Sequence, residues 1–240
     1  MTALLRSELL KLRTTRTAVV LVLALLAITT AGTVGVLVLS DESPLDLQEG
    51  LPNTAAFATL FALLFGILVM TGEFRYGTAT PTFLVSPVRE SVVVAKVLAA
   101  MVGGITLALA AAALVYLVAL PWLAAQGDAI HLFGSEPVGA VAAIAAGAAI
   151  WGGLGVGLGA LVRSQVGAMI GALVWLLIVE NIIGGLLPDV GTYLPGRALG
   201  AIFGEPGEGL SVWGGVAVSL GYAAAFCVAG MFLTARRDVT

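Results

Sequence analysis

Residues 17–39, TAVVLVLALLAITTAGTVGVLVL, run for 23 positions without a charge. A helix of that length rises about 34 Å, enough to cross a hydrocarbon core of roughly 30 Å. Five further apolar stretches follow, at 54–71, 92–124, 138–162, 166–187 and 212–234. Of the 240 residues, 60% are hydrophobic and 10% charged, with a mean hydropathy of +1.08. Soluble domains carry about a quarter charged residues. The expected fold is therefore an all-α integral membrane protein with six transmembrane helices. The third stretch contains Pro121, where a bend or an end is expected.

The charges sort by side once these spans are laid out. Arg6, Lys11, Arg13, Arg16, Arg75, Arg89, Lys96, Arg163, Arg236 and Arg237 fall on one side, and Arg197 alone on the other. The second side carries Asp41, Glu42, Asp46, Glu49, Asp128, Glu136, Asp189, Glu205 and Glu208. Basic loops stay in the cytoplasm, so both termini are expected there, in a multi-pass protein of the cell membrane. The first apolar run is too long for a signal peptide and no small-residue cleavage site of the usual kind precedes the acidic segment, so it is expected to be retained.

Residues 1–16 carry Leu5, Leu9 and Leu12 on one helical face, with Arg6, Lys11, Arg13 and Arg16 as cationic heads for lipid phosphates. An interfacial helix leading into span one is expected, with its lipid bilayer as partner. Residues 17–240 then form a single six-span domain, since no fixed-period repeat or long linker divides them.

Two connections are unusual. Residues 72–90, GEFRYGTATPTFLVSPVRE, exceed what a turn between adjacent spans needs, and they mix charges with Phe74, Tyr76, Phe83, Leu84 and Val85. Apolar residues on such a loop point to a partner surface or to burial against the membrane. Thr78 and Thr80 offer capping hydroxyls before Pro81, and Ser86-Pro87 a stop, so a short helix over 80–85 is expected. The loop equally suits a plain connection between spans. The other case is 188–211, where Leu199, Ile202 and Phe203 lie among turn formers. Either short re-entrant helices bury these residues in the outer leaflet or the segment packs flat on the outer surface.

Within the spans, Glu180-Asn181 interrupts an apolar run about 21 Å from its basic end. A carboxylate there costs about 2.5–3.5 kcal/mol and must face protein or water, or be protonated. It lines a pathway, pairs across an interface, or forms a local hydrogen bond near Gly184-Gly185. Gly153, Gly155, Gly157 and Gly159 give overlapping G-x-x-x-G pairs in span four, and Gly167 and Gly171 another in span five. Such positions let helix backbones approach closely, within one chain or between two.

Several chemistries lack their residues. His131 is the only histidine and Cys227 the only cysteine, so no transition-metal site is expected and no intrachain disulfide can form. Cys227 is expected to pack as a small apolar residue. No G-x-x-x-x-G-K-[ST] loop, nucleophile elbow or H-E-x-x-H occurs. Basic residues do not cluster as a nucleic-acid partner requires.

The run Ser7-Glu8-Leu9-Leu10-Lys11-Leu12-Arg13-Thr14-Thr15-Arg16 resembles the segment ahead of span one in type-2 ATP-binding-cassette permeases, particularly actinobacterial ones. Thr71-Gly72-Glu73-Phe74-Arg75-Tyr76-Gly77-Thr78, with Pro81, Ser86-Pro87, Arg89 and Ala95-Lys96, resembles that family's coupling-helix loop. Leu161-Val162-Arg163-Ser164-Gln165-Val166-Gly167-Ala168, with Trp175 and Glu180 beyond, is a third match. Together they cover most of the chain in the family's order.

The resemblance implies a permease subunit that pairs with a second permease half, identical or related, and docks on cytoplasmic ATPase subunits. ATP and magnesium would sit in those partners, and this chain would bind no cofactor and hydrolyse nothing. The implied coupling loop comprises Glu73, Phe74, Arg75, Thr78, Pro81, Phe83, Leu84, Pro87 and Arg89. In it Glu73 and Arg75 would be ionic contacts or internal braces, and Phe83 and Leu84 apolar plugs for an ATPase cleft. Arg89 and Lys96 would instead reach lipid head groups. Few charges lie in the spans, which favours a drug-, peptide- or lipid-like cargo, exported by family resemblance. An intramembrane enzyme resting on Glu180, or a non-transporting scaffold or immunity protein, stays open beside this.

Overall fold

The computed structural model describes residues 16–40, 43–75, 89–127, 129–204 and 209–236. Six helices in it are long and apolar enough to cross a membrane, and no strand occurs among the described residues. The first span is α1 (Arg16–Leu39). The second begins as α2 (Pro44–Gly50), passes through a 3-10 turn (Leu51–Ala56) and continues as α3 (Phe57–Arg75). The third is α4 (Arg89–Gln126) and the fourth α5 (Ser135–Val162). The fifth is α6 (Gln165–Val174), a π turn (Trp175–Val179) and α7 (Glu180–Leu186). Two short helices, α8 (Pro188–Gly191) and α9 (Pro195–Ile202), precede the sixth span, α10 (Val212–Arg236).

The expected interfacial helix and the helix over 80–85 lie outside the described residues. α4 does not end at Pro121: it runs on to Gln126 as one helix of 38 residues. Proline removes one backbone donor, which a helix tolerates at the cost of the one bond to the Leu117 carbonyl, and the helix continues for five residues beyond it.

α5 is the axis of the bundle, and its glycines explain how. A Cβ on Gly155 would overlap the Leu63 carbonyl of α3, and one on Gly66 of α3 would overlap the Gly152 carbonyl. On another side, a Cβ on Gly157 would stand 2.7 Å from the Cys227 backbone nitrogen of α10. A Cβ on Gly159 would stand 3.1 Å from the Met70 Cβ, while one on Gly153 would make ordinary contact with Val97 of α4. The stripe thus serves packing within the chain. Cys227 joins it, its thiol donating to the Gly153 carbonyl at 3.4 Å. In the fifth span the pattern differs: a Cβ on Gly167 would meet only Ser164 and Val162 just before it in the chain, and one on Gly171 would meet nothing within 4 Å.

α1, the fifth span and α10 ring this centre and turn apolar side chains outward, among them Val20, Leu23, Val166, Leu177, Val228 and Phe232. Outward apolar faces are what lipid contact requires. α9 folds back on α10 and α5, burying Leu199 and Ile202 and half-burying Phe203, so the described part of the 188–211 connection up to Gly204 is built of short helices packed on the bundle.

Candidate functional site

Polar contacts gather at the two ends of the fifth span. At the basic end α3 finishes and α4 begins, separated by residues 76–88. Lys96, two turns into α4, places its Nζ 2.9 Å from Glu73 Oε1, with side chains 2% and 7% exposed. It also donates to the Val69 carbonyl at 3.3 Å. A buried ammonium needs both a counter-charge and hydrogen bonds, and here it has them. Lys96 therefore does not reach toward lipid head groups, as the sequence led us to expect; it braces α4 to α3. Arg75, at the last position of α3, donates from Nη1 to Gln165 Oε1 at 3.0 Å, tying α3 to the start of the fifth span.

The neighbouring turn is tight. Arg163 closes α5 in the left-handed region, φ 56°, and its N–H donates to the Gly159 carbonyl at 3.0 Å. That conformation costs an L-residue about 1–2 kcal/mol. Ser164 follows directly and its Oγ accepts from the Gly167 N–H, capping α6. So Leu161–Ala168, which sequence picked out as a motif, is a two-residue reversal that positions Gln165 for Arg75.

At the other end Glu180 is 5% exposed, and each carboxylate oxygen has a donor. Trp175 Nε1 donates to Oε1 at 2.9 Å, and the Gly196 N–H donates to Oε2 at 2.8 Å. The second contact caps α9, whose preceding residue Leu194 offers no side-chain cap. Arg197 adds a favourable charge interaction. A Cβ on Gly196 would lie 2.5 Å from Glu180 Oε2, so glycine is what admits the carboxylate.

The π turn orients this group. Ala168 and Ala172 mark the buried face of α6. At about 100° per residue, position 180 would lie roughly 80–120° round from them. One extra residue in the turn takes back about 100° and brings Glu180 onto that face. The Glu180 backbone N–H donates to the Trp175 carbonyl, so the pair is joined through main chain and side chain alike. Asn181 instead stays exposed, its Nδ2 donating to the Leu177 carbonyl at 3.0 Å.

Of the implied coupling loop, Glu73 and Arg75 are placed as above. Phe74 and Arg89 lie in helices, and nothing is described of their side chains. Thr78, Pro81, Phe83, Leu84 and Pro87 lie outside the described residues. The sequence did not single out Gln48. It is buried in α2 and links two acidic-side connections, donating to Ala129 O at 3.0 Å and accepting from His131 N at 2.7 Å. Only the presence of an amide in a turn-rich segment marked it. Among the described residues no three His, Cys, Asp or Glu side chains assemble as metal ligands. No protein-family model matches the chain, and no curated protein matches it.

Proposed function

We propose that the chain is the permease subunit of an ATP-driven exporter, working with a separate ATPase and a second permease half. The observation that carries this is the brace where residues 76–88 leave and rejoin the bundle. Glu73 and Lys96 join α3 to α4, and Arg75 with Gln165 adds the fifth span. A partner pressing on that segment would move three spans together, which transmission of an ATPase stroke requires. The ordered resemblance at 7–16, 71–96 and 161–180 supports the same function. The basic side is then cytoplasmic, in the cell membrane. The enzyme alternative loses support, because both Glu180 oxygens are engaged by structural donors.

The test is capture of the chain from its native membrane in mild detergent, scoring ATPase subunits. A co-purifying ATPase that is lost with Phe83→Asp and Leu84→Asp supports the proposal and locates the coupling contact. A folded chain that brings down no ATPase overturns it in favour of a scaffold.

A further inference from the structure

The fifth span is tied to the bundle at its ends and packs on it through Ala168 and Ala172, yet it leaves a gap beside Gly171 and Trp175. Arg75 holds Gln165 at one end, and Glu180 holds Gly196 at the other. Between these ties a cleft of about 340 Å³ separates it from α3, α5 and α10. Trp151 and Leu158 of α5, Gly171 and Trp175 of the fifth span, and Tyr222 and Phe226 of α10 form its walls. Pro195, the first residue of α9, also borders it. The Glu180 cap on α9 therefore fixes part of the cleft wall.

The lining specifies the occupant. Four aromatic rings face a space about twice the roughly 150 Å³ apolar cavity that accepts benzene. That is room for two or three fused rings. None of the lining residues carries a charge, and the Trp175 indole N–H is engaged by Glu180. An anionic ligand would meet no cation among the lining residues and would be rejected by its desolvation cost. We propose that this cleft binds a compact, uncharged aromatic or polycyclic lipophile. This deepens the permease proposal by naming a cargo class, and only the claim that the ligand is cargo rests on it.

The experiment needs no ATPase, so its outcome is separate from that of the capture test. The full chain in lipid nanodiscs is photolabelled with a naphthalene carrying a diazirine, with and without excess unlabelled naphthalene, and labelled residues are mapped by mass spectrometry. Saturable labelling at Tyr222 and Trp175 is expected. Gly171→Leu should lower it about tenfold, a loss of about 1.4 kcal/mol in binding, since open space surrounds that position. Gly185→Leu, equally open, should leave it unchanged. Leu158→Trp fills the cleft from the facing wall and should repeat the Gly171→Leu result if that variant misfolds. Labelling that does not saturate, or that both filling variants leave unchanged, would mean that bilayer lipid alone occupies the cleft and would overturn the proposal.

Discussion

Lys96 and Glu73 stand on different helices, and each taken singly looks like a loop-proximal charge. Sequence spacing gives no hint of their pairing, because it arises only when α3 and α4 pack side by side. Burial then makes the pair all-or-none: either charge alone would be left without its partner in a low-dielectric interior. Lys96→Met is therefore expected to cost about 3–5 kcal/mol, and Glu73→Leu a comparable amount. The double variant Lys96→Met with Glu73→Leu should recover most of that loss, since a well-packed apolar pair can replace a buried ion pair. Thermal unfolding of the four proteins in one detergent measures the coupling. Additive losses would show that the two side chains do not act as a unit. Glu180 is the contrary case: a carboxylate in an apolar run is conspicuous in sequence. Its partners were hidden, because Gly196 is distant along the chain and Trp175 faces it only through a widened turn.

That turn is an element-scale device, and the fifth span can be used to test it. Deleting Leu177 should restore ordinary helical turning and carry Glu180 about 100° away from Gly196. The Gly196 N–H would lose its acceptor, as in Glu180→Ala, at about 1–3 kcal/mol per unsatisfied group. The deletion and Glu180→Ala should each lower the melting temperature, and combining them should add little, because both remove one contact. A fully additive combination would sink this account of the π turn. Sequence could not foresee it, since Trp175–Val179 is as apolar as an ordinary helical turn. The spans themselves were legible because hydrocarbon admits only satisfied backbone, and long uncharged runs have no other use. Within them, the glycines of α5 were legible as packing sites but not by partner. Gly155 and Gly157 turn to different helices, which depends on bundle geometry, and Gly171 belongs to the same class of residue yet borders open space.

At the scale of the whole molecule, six spans return the far end of α10 to the side on which α1 starts. The contacts agree: Arg75 meets Gln165 on one side, while Gln48 meets His131 on the other. The first side holds nearly all the basic residues and the second most of the acids. Positive charge near span ends is retained in the cytoplasm, so the acidic side should face outward. Single cysteines at Glu49 and Glu136 in a Cys227→Ser background should react with a membrane-impermeant maleimide in intact cells. A cysteine at Thr240 should react only after permeabilisation. The reverse pattern would place residues 76–88 outside, away from ATP, and would remove the physical basis for coupling. Labelling at all three positions in intact cells would break the six-span topology itself.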